Sequence, residues 1–109
     1  LATTYKVLAQ SAPSATTATD IYTVPASTQA VISTIVVANR AASAATYRIA
    51  IRPNGASLAN QHYIAYDVTV GASDSTTITL GITIDAADVV TVYASTANLS
   101  FNVFGSEII

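Results

Sequence analysis

Between Val31 and Pro53 the chain spells out two β-strands: VISTIVVANR, a small-residue connection AASAAT, then YRIAIRP. This is its densest block of β-branched residues, which lose side-chain freedom in a helix and pack well on a pleated surface. In the first strand Val31, Ser33, Ile35 and Val37 alternate with Ile32, Thr34, Val36 and Ala38. Both faces are partly apolar, the pattern of a central strand covered on both sides. In one small domain, that pattern suggests a cover from outside it. The second strand alternates cleanly, with Tyr47, Ile49 and Ile51 on one face and Arg48, Ala50 and Arg52 on the other, as a half-buried strand does. Pro53-Asn54-Gly55 then turns the chain, because Pro presets φ and Asn-Gly accepts positive φ.

The flanking segments read the same way. Thr4 to Gln10 is a short strand whose Lys6 suits an edge. Ser11 to Thr19 is a small, polar, Pro-containing linker, free to lie extended or as an arm across a neighbour. Asp20 to Val24 is a strand stopped by Pro25. In His62 to Val70 the period places Ile64, Tyr66, Val68 and Val70 on one face, and Tyr63, Ala65 and Asp67 on the other. Thr76 to Ile84 places Ile78, Leu80, Ile82 and Ile84 inward, with Gly81 marking a bulge or a close contact. Val89 to Ala94 and Leu99 to Phe104 are the last strands, and Gly105 to Ile109 is a tail. The expected fold is all-β: a two-sheet antiparallel β-sandwich of about eight strands, jelly-roll-like. It is one domain overall, with residues 1–19 as N-terminal strand and linker or arm and residues 20–109 as the sandwich.

Charge is the feature that bears most on function. Only 9% of residues are charged and the net charge is -2, where an ordinary soluble domain carries about 25% charged residues. So few charges protect a free monomer poorly against association. The composition fits a subunit whose neighbours cover much of it, or a surface domain with a neutral, Thr-rich exterior. There are no cysteines, which excludes disulfides, zinc-thiolate sites and thiol nucleophiles. No run approaches the ~20 apolar residues of a membrane helix, and LATTYKVLAQ lacks the pattern of a signal peptide. No membrane partner is expected.

Catalytic constellations are sparse. His62 is the single histidine. Period 2 puts Asp67 on the opposite strand face, and no GxSxG elbow accompanies it. His62 therefore reads as a strand-start or interface residue, and no enzyme activity is expected. Asp85 and Asp88 share one turn and are read as acceptors for backbone N–H groups rather than calcium ligands. No metal and no cofactor are expected. No aromatic cluster with polar neighbours marks a sugar cleft, although six tyrosines are present. The three arginines of an acidic chain do not make a nucleic-acid surface. Arg favours subunit contacts and Tyr suits them, so the candidate interface residues are Arg40, Arg48, Arg52, Tyr47 and Tyr63.

The segments IYTVPASTQAVISTIVVANR, TYRIAIRPNG, HYIAYDVTV, LGITIDAADVVTVYAS and LSFNVFGSEI together resemble a family of small virion proteins of tailed phages, including cyanophage-like ones. The resemblance spans Ile21 to Ile108 and rests on strand motifs, the TVP turn, VVANR, AYDV and FGSEI among them. It implies a non-enzymatic part of a virus particle. A capsid decoration (cement) protein would be a homotrimer that clamps the major capsid protein; the other placement is the tail, neck or a fibre. It supplies no catalytic residues.

Overall fold

The structure is a computed structural model and describes residues 2–109. Nine strands follow one another: β1 (Thr3–Ser11), β2 (Thr19–Thr23), β3 (Gln29–Asn39), β4 (Ala45–Arg52), β5 (Tyr63–Val70), β6 (Ser75–Ile78), β7 (Ile82–Ile84), β8 (Val89–Ala94) and β9 (Leu99–Ile108). The described residues form no α-helix, only 3₁₀ turns at Pro53–Gly55 and Asn60–His62.

The strands form two antiparallel sheets. Sheet A runs β1-β9-β3-β6, with β7 also paired to β3, and sheet B runs β2-β8-β4-β5. Both β6 and β7 pair with β3, at Ile35–Ile78 and Ile32–Ile82. They are thus one interrupted strand. With them merged, the chain folds like a long hairpin wrapped over itself: β1 with β9, β2 with β8, β3 with β6/β7, β4 with β5. This is the jelly-roll sandwich.

The core lies between the sheets. Ile32, Ile35 and Val37 of β3 meet Tyr47 and Ile49 of β4, Val90 and Val92 of β8, and Leu99, Phe101 and Val103 of β9. Tyr47 packs edge-on to Phe101, with centroids 6.2 Å apart. It was expected at an interface but is 1% exposed. It belongs to the inward set with Ile49, and its long apolar ring fills the middle of the sandwich. No buried side-chain polar atom among the described residues lacks a hydrogen-bond partner. Asn39 shows how this is done at the end of β3. Its amide donates to the carbonyls of Ser43, Val70 and Gly71, and its side-chain oxygen accepts the Ala41 N–H.

Several details differ from the sequence expectation. The tail is strand: β9 continues to Ile108 and is flanked by β1 and β3. The linker is docked on its own domain, with Pro13 buried and the Thr16 N–H donating to the Ala94 carbonyl at 2.7 Å. Leu80 points to solvent at 63% exposure, because the strand breaks between Ile78 and Ile82 and Gly81 turns with φ of 65°. Tyr66 and Ile64 are also outside, at 56% and 40%. Register shifts between Tyr47 and Ile49, and between Ile49 and Ala50, insert extra β5 residues. Each bulge reverses the face of the residues beyond it. Ala65 accordingly packs on the core beside Val68.

Candidate functional site

Two surfaces carry the residues with functional potential, one on each sheet. On sheet B the first bulge of β5 sets two consecutive residues, Tyr66 and Asp67, opposite Arg48. Asp67 takes the bulge conformation with φ of 51°. The Arg48 Nε donates to Asp67 Oδ1 at 2.6 Å. Its guanidinium carbon lies 4.2 Å from the Tyr66 ring centroid and 4.3 Å from that of Tyr93. Arg48 thus lies between two aromatic rings, a cation–π arrangement. The hydrogen bond to Asp67 raises its pKa still further above the ordinary value. Tyr63 meets Tyr66 edge-on at 4.9 Å.

Beside this stack is a hollow of about 210 Å³, lined by Ala18, Arg48, Leu58, Tyr63, Thr91 and Tyr93 among others. The docked linker and the loop after β4 contribute its sides, through Ala18 and Leu58. Sequence periodicity does not show this grouping of aromatic rings with polar neighbours, because the bulge that brings Tyr66 onto the outer face breaks the period. Arg52 supports the same face. It donates to Thr91 Oγ1, to the Gly55 and Ala56 carbonyls and to Asp20 Oδ2, while Thr91 donates to Asp20 Oδ1. Arg40 is a clamp at the other end of the molecule, donating to Ser100 Oγ and the Ala97 carbonyl. All three arginines are therefore engaged within their own chain, a role not expected from the sequence. Of the expected interface residues, Arg48 and Tyr63 come together; Arg40 and Arg52 act as separate fasteners.

His62 and the turn carboxylates make no catalytic grouping with one another. His62 is buried at the 3₁₀ turn, where its Nδ1 accepts the Ala59 N–H at 3.0 Å. Asp88 accepts the N–H groups of Asn54 and Asp85, and Asp85 accepts that of Ala86.

The outer face of sheet A differs in kind. Its strands share a transverse line of irregularities. β1 shifts register between Val7 and Ala9, β3 between Ile32 and Thr34, and β6 and β7 are separated at the same level. Between β1 and β3, at this line, lies Gly105 of β9. The sheet is creased there. A hollow of about 590 Å³ lies on its outer side, lined by Tyr5, Val7, Val31, Ser33, Phe104 and Ser106 among others. Tyr5 is 85% exposed and Val7 47%. Alternation places Val31, Val36, Thr77, Asn102 and Phe104 on this same side. Among the described residues, Arg40 stands at the rim of this face, Lys6 borders the hollow, and Asp85 and Asp88 line a second hollow that shares Val31 with it. The Lys6 side chain leaves on the opposite side of β1, where its ammonium meets Glu107 at 3.0 Å.

Compared with protein-family models, with curated proteins and with solved structures, the chain gives no match.

Proposed function

We propose that this chain is a non-enzymatic structural subunit of a tailed-phage particle, a capsid decoration protein that stabilises the shell through contacts between subunits. The observation that carries the reading is the outer face of sheet A. It is poor in charge, creased and lined by Tyr5, Val7, Val31 and Phe104, a surface that gains by being covered. The strand motifs point the same way through their resemblance to phage virion proteins. The sandwich itself is a weaker argument, because jelly rolls host many functions. Its partners in this reading are further copies and the major capsid protein, and its location is the virion.

Counting copies of the chain in purified particles by quantitative mass spectrometry tests this. Hundreds per particle are expected for a decoration protein. A small multiple of three or six would move the chain to the tail, neck or a fibre, and absence from the particle would overturn the virion reading.

A carbohydrate-binding module is the second reading. It is favoured by the Arg48–Tyr63–Tyr93 hollow, which has aromatic walls and few polar groups, as ligand sites do. A glycan array probed with and without calcium decides it; silence in both disposes of it.

A further inference from the structure

Sheets end in edges, and an edge with free N–H and C=O groups is a template for another strand. This sandwich has four: three are irregular along their length, and β1 shifts register only beyond Val7. The β2 edge shifts register between Asp20 and Tyr22. The β5 edge shifts twice and carries the positive φ of Asp67. The β6/β7 edge is interrupted between Ile78 and Ile82. Bulges and breaks of this kind are how proteins disarm an edge. The first half of β1 is different: from Thr3 to Val7 it pairs with β9 in unbroken register.

The direction of its backbone groups follows from one end. Ala2 and Ile109 exchange both hydrogen bonds, Ala2 N to Ile109 O at 3.0 Å and the reverse at 2.9 Å. In an antiparallel ladder such pairs alternate. Thr4 with Glu107 and Lys6 with Gly105 are therefore bonded pairs as well, in the register observed. The N–H and C=O groups of Thr3, Tyr5 and Val7 consequently point out of the sheet edge. Lys6, the only charge on the strand and the residue expected to guard it, is drawn to the inner side by Glu107.

We propose that the β1 edge pairs with the β1 edge of a second copy of this chain, antiparallel about a two-fold axis at Tyr5. The segment is self-complementary in this register. Thr3 bonds the partner's Val7, Tyr5 the partner's Tyr5, and Val7 the partner's Thr3. The two Tyr5 rings meet on the outer face, where cross-strand aromatic pairs are favourable. Lys6 opposes Thr4, so no like charges face each other. Sheet A then runs unbroken through both molecules, and the two creased hollows adjoin. A two-fold strand pair closes on itself, so it builds a dimer and not the homotrimer that the resemblance implies. The inference rests on the edge geometry and stands apart from the virion reading, which the particle count tests separately.

Sedimentation equilibrium from micromolar to millimolar concentration, combined with amide hydrogen exchange, tests it. The wild-type chain is expected to dimerise with concentration. The Thr3, Tyr5 and Val7 amides then exchange more slowly, about tenfold when nine chains in ten are paired. Tyr5→Glu sets two carboxylates against each other at the axis and leaves the monomer unaffected, since Tyr5 is 85% exposed. Tyr5→Pro deletes an outward N–H and no bond of the monomer. Both variants are expected to be folded monomers by circular dichroism. A wild-type monomer throughout the range overturns the proposal. So do a trimer, a dimer that survives Tyr5→Glu, or a dimer whose three amides exchange as fast as those of that variant.

Discussion

A methyl group on Gly105 would sit 1.9 Å from the carbonyl oxygen of Val31 and 2.9 Å from its carbonyl carbon. Both atoms are backbone of the neighbouring strand, so relief means moving β3 away from β9. Gly105→Ala is expected to destabilise the fold by at least about 3 kcal/mol, the upper part of the range for overpacking, measured by urea denaturation. Two residues on, Glu107 joins the two sheets. It accepts from Tyr22 of β2 at 2.5 Å and from Lys6 of β1 at 3.0 Å. The Tyr22 hydroxyl, and then Lys6, hold the Glu107 carboxyl below its ordinary 4.5. A lowered carboxylate contributes stability that is present above the ordinary value and lost as pH falls through the folded one. Denaturation midpoints should therefore drop on acidification below 4.5, and Glu107→Gln should flatten that limb. Burial, and then Glu107, raise the Tyr22 hydroxyl above its ordinary 10.0. Its contribution is complete below that value and lost above it, so Tyr22→Phe should remove an alkaline decline. None of this was legible in the sequence. Gly105 and Glu107 sat in what looked like a tail, and Glu107's partners lie 85 and 101 residues away.

At the level of elements, period 2 was a sound guide wherever a strand kept its register. Tyr47, Ile49 and Ile51 do face the core, and Arg48, Ala50 and Arg52 do not. It failed at the bulges, since one inserted residue exchanges the faces of everything beyond it. In β5 that error hid the candidate sheet B site, placing Tyr66 on one face with Val68 and Val70, which the structure turns to the core. Asp67 is the residue that makes the bulge, and its φ of 51° is tolerated by Asp, Asn and Gly but poorly by branched side chains. Asp67→Val is expected to lose about 1–2 kcal/mol through the backbone alone. It should also release Arg48, so that Tyr66 and Tyr93 fluorescence and ring-proton shifts change together. Asp67→Gly keeps the bulge while losing the carboxylate. If Asp67→Gly and Asp67→Val prove equally destabilised, the ion pair rather than the backbone accounts for the loss.

For the molecule as a whole, the low charge and the two-sided apolar pattern of β3 indicated a sandwich with one face meant for covering. Sheet A has an outer face of matching composition, and its position could not be read earlier because strand order is a property of long-range pairing. The two faces now make opposite predictions for particle binding. Thr77 is exposed on the outer side of sheet A, beside Val36 and away from β1. Thr77→Lys should leave monomer stability within about 0.5 kcal/mol, as surface changes do, because its side chain stays in water. In a covered face, however, the ammonium would be desolvated without a partner. Occupancy on purified particles should then fall at least about tenfold, the effect of ~1.4 kcal/mol. Tyr66→Ala on the far sheet should leave occupancy unchanged. The reverse result, with Thr77→Lys harmless and Tyr66→Ala releasing the chain, would transfer the contact to the Arg48 stack on sheet B. Sheet A would then need a different reason for its lack of charge.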